Sequence, residues 1–144
     1  MELQIISPLH KANRQVSLYF EAETAKVGLS PVEGHLLAFV GVYSPSPIAE
    51  LVRVLGLKHS TLSSMLDRLE RDGLLSREVN PEDRRSFVVS LTVKGTKRAR
   101  HMQGHAEELE QRIRDCISEK DLTGYHAVLA AIGTTTNVEV REKK

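Results

Sequence analysis

The sequence contains no tryptophan, one cysteine (Cys116) and only six Phe and Tyr residues among its 144. Each scarcity excludes something. A chain this poor in aromatic rings is badly equipped to stack splayed single-stranded bases, which need aromatic platforms. A single thiol can neither close an internal disulfide nor build a thiolate metal cluster, so a reducing cytoplasm is the expected setting. No stretch approaches the roughly 20 apolar residues of a membrane span. The start, MELQIISPLHKANRQ, lacks the apolar core of a signal peptide, so a soluble intracellular protein is expected. There is no glycine-rich phosphate loop and no nucleophile elbow. His101-Met-Gln-Gly-His105 has the histidine spacing of a zinc protease but Met where that chemistry needs a Glu base. The sequence therefore predicts neither an enzyme nor a bound cofactor.

A net charge of +1 excludes a highly charged disordered tail, yet it hides an asymmetry. Between Arg53 and Arg100 stand eleven basic residues against six acidic ones, a surplus of five, and the remainder of the chain is acidic by four. A cationic middle between acidic ends points to one face meant for a polyanion.

The hydrophobic period is helical almost throughout. Ser7-Pro8 opens a first helix, with Leu9, Ala12, Val16 and Tyr19 on one side and Gly28 as its stop. Ser30-Pro31 opens a second, carrying Leu36, Phe39 and Val40. Residues 43–47 read as a loop whose last pair, Ser46-Pro47, starts a short helix with Ile48, Leu51, Val52 and Leu55 inward, stopped by Gly56. The next helix, from Lys58 to Gly73, buries Leu62, Leu66 and Leu69. Its other face presents Ser60, Ser63, Ser64, Asp67 and Arg71, with Thr61 and Arg68 at the flanks. Solvated helix surfaces favour Glu and Lys over Ser and Thr, so short hydroxyls here suit close approach to another surface.

Two β-prone runs follow, Leu74–Val79 and Arg85–Leu91, joined by a charged tip. In the second, Phe87, Val89 and Leu91 alternate with Ser86, Val88 and Ser90. A long helix is then predicted from Thr92 to about Ser118. Its residues Ala99, Met102, Ala106, Leu109, Ile113 and Cys116 are spaced 3, 4, 3, 4, 3, a coiled-coil seam that needs a partner. A final helix after Asp121 aligns Leu122, Tyr125, Val128, Leu129 and Ile132, and the polar tail from Gly133 is expected to fray.

Two short helices joined by a tight turn, then a hairpin, make a winged helix-turn-helix, so the fold class is mainly α with a small β wing. The second helix of such a unit can enter the major groove of double-stranded DNA, and the hairpin tip can carry arginine into the minor groove. The candidate DNA-binding residues are Lys58, His59, Ser60, Thr61, Ser63, Ser64 and Arg68 on the helix and Asp83, Arg84 and Arg85 on the wing. Asp83 is read as an orienting partner for the arginines, since a carboxylate facing phosphate would repel it. RNA is disfavoured because its groove is deep and narrow. The alternative is a winged helix used only for protein-protein contacts.

The strings Ile48-Ala-Glu-Leu, Leu55-Gly-Leu, Ser60-Thr and Asp67-Arg-Leu-Glu-Arg-Asp-Gly-Leu-Leu75 resemble the MarR family of bacterial transcription regulators. So do Asn80-Pro-Glu-Asp-Arg-Arg85, Leu91-Thr, Lys94-Gly95 and Leu29-Ser-Pro-Val-Glu33. The resemblance spans about residues 8–135, and the wing is its most discriminating part. It implies a single MarR-like domain over 1–144, with residues 30–92 as the winged helix-turn-helix and residues 7–28 and 93–135 as a helical dimerisation part. It further implies a homodimer on a palindromic operator, half-sites about 34 Å apart, and repression relieved by a small molecule or an oxidant. The wing pair of the family falls on Asp83 and Arg85. Asn80 stands where the family commonly has Asp, which keeps turn-forming capacity.

The effector is open. Cys116 lies on the apolar seam with no basic cluster to lower its pKa, so it is read as a core cysteine and not a redox switch. His101 and His105 are i, i+4 on the long helix and can share a metal, with Glu108 continuing that face and His35 on the second helix. Zinc-responsive members of the family place histidines similarly. They also use acidic and cysteine ligands without a match here, since Gly34 stands where one carboxylate would be. Surface histidines, zinc at His35, His101 and His105, or a pocket for an organic ligand all remain compatible with the sequence.

Overall fold

A computed structural model describes residues 1–138. The chain divides into two compact units, one from Met1 to Met102 and one from Gln103 onward. The first contains α1 (Ile6–Lys26), α2 (Pro31–Tyr43), β1 (Ser46–Pro47), α3 (Ile48–Leu55), α4 (His59–Arg71), β2 (Leu75–Val79), β3 (Phe87–Leu91) and the first part of α5 (Val93–Arg114). The second holds the rest of α5 and α6 (Glu119–Thr136). The molecule is thus mainly helical with one small antiparallel sheet in the order β1-β3-β2.

The punctuation of the first unit follows local chemistry. Ser30 caps α2 through a capping box: its hydroxyl accepts from the Glu33 N–H, and the Glu33 carboxylate accepts from the Ser30 N–H. Gly28, Gly56 and Gly73 take φ of +71°, +63° and +73°, the left-handed conformation that ends α1, α3 and α4 at little steric cost. Between these stops the apolar stripes meet. Leu36, Leu37 and Val40 of α2, Leu51 of α3, Leu62, Leu66 and Leu69 of α4, and Val89 of β3 are all fully buried and form one core.

Several boundaries differ from the sequence reading. Helix α1 begins at Ile6 without a side-chain cap, so Ser7 and Pro8 lie inside its first turn. Residues 46–47, read as the end of a loop, form the edge strand β1, pairing Ser46 with Val89 and Pro47 with Val88. An edge tolerates Pro47 because its missing N–H need not face a partner strand. The Ser46 hydroxyl donates to the Tyr43 carbonyl at 2.9 Å instead of capping α3. Strict alternation in β3 fails as well. Val88 and Val89 are both buried beside β1, whereas Phe87, beyond the end of β1, is 46% exposed.

Helix α5 ends at Arg114, four residues early, and Ser118 caps α6 in a second capping box with Asp121. The Ser118 hydrogen bonds hold the Asp121 carboxyl below its usual range. Helix α6 continues past Gly133 to Thr136, closed by Asn137 in the left-handed conformation; the rest of the expected frayed tail lies outside the described residues. Cys116, expected in the core, is exposed in the turn after α5. No described residue of the second unit is buried, because two helical segments alone cannot enclose an apolar stripe.

Helix α5 starts by close contact. The Thr92 hydroxyl donates to the Gly73 carbonyl at 2.6 Å and accepts from the Gly95 N–H at 3.0 Å. The Thr92 N–H bonds the Leu74 carbonyl at 3.1 Å. These bonds bring the first turn of α5 onto the backbone where α4 turns into the wing.

Candidate nucleic-acid interface

The burial of Leu62, Leu66 and Leu69 fixes which side of α4 faces out. Lys58, just before the helix, and His59, Ser60, Thr61, Ser63 and Ser64 within it are all exposed. The Ser64 hydroxyl donates to the Ser60 carbonyl at 3.1 Å, leaving its oxygen as an acceptor. The result is a neutral, short-chained surface over the first two turns.

The wing tip is organised by its own side chains. The Asn80 side-chain oxygen accepts from the Glu82 N–H at 3.0 Å, the turn-forming bond expected of Asn or Asp. The Asn80 N–H bonds the Ser86 carbonyl, and the Ser86 N–H and hydroxyl both donate to the Asp83 carbonyl. The Asp83 carboxylate accepts from the Arg85 N–H at 3.1 Å and from its Nε at 3.3 Å. Asp83 thus orients Arg85, whose side chain is 92% exposed, and Arg84 beside it is exposed too.

At the base of the wing, Arg77 of β2 donates to Glu70 at 2.6 and 2.9 Å and to Asp67 at 2.6 Å. The bond to Glu70 comes first among the causes that raise the Arg77 pKa. This network ties the strand to the last two turns of α4 and sets one positive charge between two carboxylates. Arg77 counts toward the basic surplus of the middle segment but was not among the candidate DNA-binding residues. Its signal was there: carboxylates in the last turns of a helix and an arginine four residues beyond the Gly73 stop meet when the chain reverses.

Arg68 sits differently from the other candidates. Its guanidinium pairs with the Glu33 carboxylate and reaches the Gly28 carbonyl at 3.4 Å, so it is turned toward the start of α2. Burial pushes the Glu33 carboxyl up, but hydrogen bonds from Arg68 and from the Ser30 N–H and hydroxyl outweigh it and hold the carboxyl below the usual range. A carboxyl with a lowered pKa stabilises the fold fully above its unfolded value, about 4.3. That contribution is lost as pH falls through the folded value. Between about pH 6 and pH 3, the denaturation midpoint of the native chain should therefore fall more steeply than that of Glu33→Gln. Equal slopes would show that the pair supplies no pH-dependent stability.

The expected histidine set is rearranged. Within the first unit, Glu23 of α1 and His101 of α5 bring ligand atoms within 4.8 Å of one another, and His105 follows His101 by one turn of the same helix. His35 does not join them; it lies on the exposed side of α2, and Glu23 takes its place. Nor does Glu108 belong to the group. Gly34 is closely approached: a Cβ there would lie 3.0 Å from the Thr24 methyl, so a larger residue needs that side chain to give way. Among the described residues, no helix is long and apolar enough to cross a membrane.

This arrangement matches known proteins. The sequence profile of the MarR family matches residues 27–86, from the α1–α2 turn to the wing tip. The transcriptional regulator PecS of Dickeya dadantii is 30% identical over 132 residues, covering 89% of this chain and 79% of PecS. Among solved structures, Staphylococcus aureus MepR in its DNA-binding conformation superposes with a TM-score of 0.82 at 21% identity, covering 92% of this chain and 98% of MepR. A mutant MarR from Escherichia coli complexed with operator DNA gives 0.75 at 21% identity, covering 90% of this chain and 94% of that one. The winged helix-turn-helix of the first unit and the identity to PecS along most of both chains agree: this protein belongs to the MarR family of winged-helix transcriptional regulators.

Proposed function

We propose that the protein is a homodimeric, sequence-specific regulator that binds double-stranded DNA and represses transcription until a small-molecule effector releases it. The observation that carries this reading is the pairing of an exposed, hydroxyl-rich face on α4 with a wing whose Arg85 is oriented by Asp83. Lys58, His59, Ser60, Thr61, Ser63 and Ser64 would face base edges and the adjoining backbone. Arg84 and Arg85, steadied by Asp83, would enter the neighbouring minor groove. MepR and MarR, which share the fold, have been captured on DNA. A dimer is supported by the exposed apolar residues of α6, Tyr125, Val128 and Leu129, which a lone chain leaves in water.

The test is fluorescence anisotropy on duplex DNA from the protein's own promoter, across a salt series. Arg85→Ala should weaken binding to every sequence and reduce the salt slope by about one. Ser64→Ala should change the preference among duplexes and leave the slope alone, since a hydroxyl reads bases without carrying charge. A native chain with no affinity for duplex DNA would favour a winged helix used for protein contacts.

A second reading, control by zinc, is favoured by the approach of Glu23 to His101 with His105 one turn on. A carboxylate within ligand reach of an imidazole, with a second imidazole one turn further along the same helix, offers donor types that suit zinc. Binding that appears only with zinc, and is lost in His101→Ala/His105→Ala, would establish a metal sensor. DNA affinity indifferent to zinc would direct the search to organic effectors.

A further inference from the structure

Arg68 belongs to the basic surplus of the middle segment, yet its side chain is already engaged. One nitrogen serves both the Glu33 carboxylate and the Gly28 carbonyl. Glu33 is itself held, with Oε1 accepting from the Ser30 N–H at 3.0 Å while Oε2 takes Arg68. Only 8% of the Glu33 side chain is exposed against 43% of the Arg68 side chain, so removing Arg68 leaves a buried carboxylate oxygen without its partner. The turn that receives Arg68 is anchored from a third direction by Arg98 of α5, which donates to the Val27 carbonyl. The Leu29 N–H closes the turn onto the Thr24 carbonyl at 2.9 Å. The far end of the Arg68 bond is therefore a fixed point, and the bond ties α4 to it one turn beyond Ser64.

We propose that Arg68 is a positioning residue: through Glu33 it sets the placement of α4 against the α1–α2 turn, and it does not itself contact DNA. The proposal rests on the DNA-binding reading above. A base-reading helix must be held to a fraction of an ångström to discriminate sequences, whereas attraction to phosphate tolerates looser placement. Loss of the strap should therefore cost specificity first.

The experiment compares the native chain, Arg68→Ala, Glu33→Gln and the double variant on promoter duplex and on an unrelated duplex of equal length, each over a salt series. Arg68→Ala should lower promoter affinity about tenfold (~1.4 kcal/mol), with binding to the unrelated duplex and the salt slope unchanged. Glu33→Gln, a substitution in a buried side chain, should reproduce most of that loss. The double variant should lose no more than Arg68→Ala alone, because the two residues act as one unit. Thermal unfolding of each variant confirms that the comparison is made on folded protein.

A salt slope reduced by about one in Arg68→Ala, with equal losses on both duplexes and additive effects of the two substitutions, would overturn the proposal and make Arg68 a phosphate contact. Retention of full promoter affinity by both single variants would overturn it too. A native chain that binds neither duplex would remove the DNA-binding reading and this inference with it, an outcome recognisable from the native titration alone.

Discussion

Gly95→Ala should be the most damaging single methyl in the molecule. A Cβ at this position would lie 1.8 Å from the Leu74 carbonyl oxygen and 2.8 Å from its carbon, both backbone atoms. No rotamer change relieves such an overlap, so either the first turn of α5 or the start of the wing must move. Movement breaks what Thr92 assembles there, its bonds to Gly73 and Leu74 and the one it accepts from Gly95. Overpacking with backbone displacement costs about 3 kcal/mol, equivalent to roughly 10 °C in Tm for a chain of this size. Gly41→Ala is the control. Its Cβ would meet Ala99 and Leu91 at 3.5 Å, ordinary contact, and alanine favours helix over glycine by about 1 kcal/mol. Differential scanning calorimetry of the two variants decides the matter, and a Gly95→Ala protein melting with the native chain would refute the close approach.

The second large effect concerns association. Tyr125 and Leu129 lie one turn apart on α6 and are 54% and 36% exposed. A helix with this much apolar side chain in water and no described buried residue gains little from folding alone. In the proposed dimer that face is covered. Tyr125→Asp/Leu129→Asp places two carboxylates in the interface and should give a monomer by light scattering. A monomer presents one reading head where the dimer presents two, so promoter affinity should fall by a factor of about 10² to 10⁴, the usual advantage of a linked second site. A variant that stays dimeric would move the interface elsewhere on the chain. One that becomes monomeric but keeps its affinity would remove the need for two half-sites.

Much of this was legible in the residues themselves, because it depends on local chemistry. Glycine stops at positions 28, 56 and 73, the Ser30 capping signal, and the leucine stripe of α4 each act within a turn or two of chain. The face of α4 turned to solvent follows from that stripe, and the bond from Arg85 to Asp83 spans only two residues. Local reasoning also had its errors. It let α5 run on to Ser118, which in fact caps α6, because a seam of apolar spacing outweighed a capping serine paired with Asp121. It placed Cys116 in a core that a single chain does not build there.

What only the tertiary structure decided are the pairings between residues far apart in sequence. The two-residue β1 exists because Val88 and Val89, some forty residues later, offer it an edge, and no propensity of Ser46-Pro47 announces that. Arg68 and Arg85 are alike as residue types, yet one finds a buried carboxylate thirty-five residues away and the other extends into solvent at the wing tip. Glu23 displaced His35 as the companion of His101 for the same reason. Charge and hydrophobic period are properties of a residue and its near neighbours, so the sequence by itself could say which surface was polar and cationic. Which of its cations are already engaged depends on where distant segments come to rest, and packing of the whole core determines that.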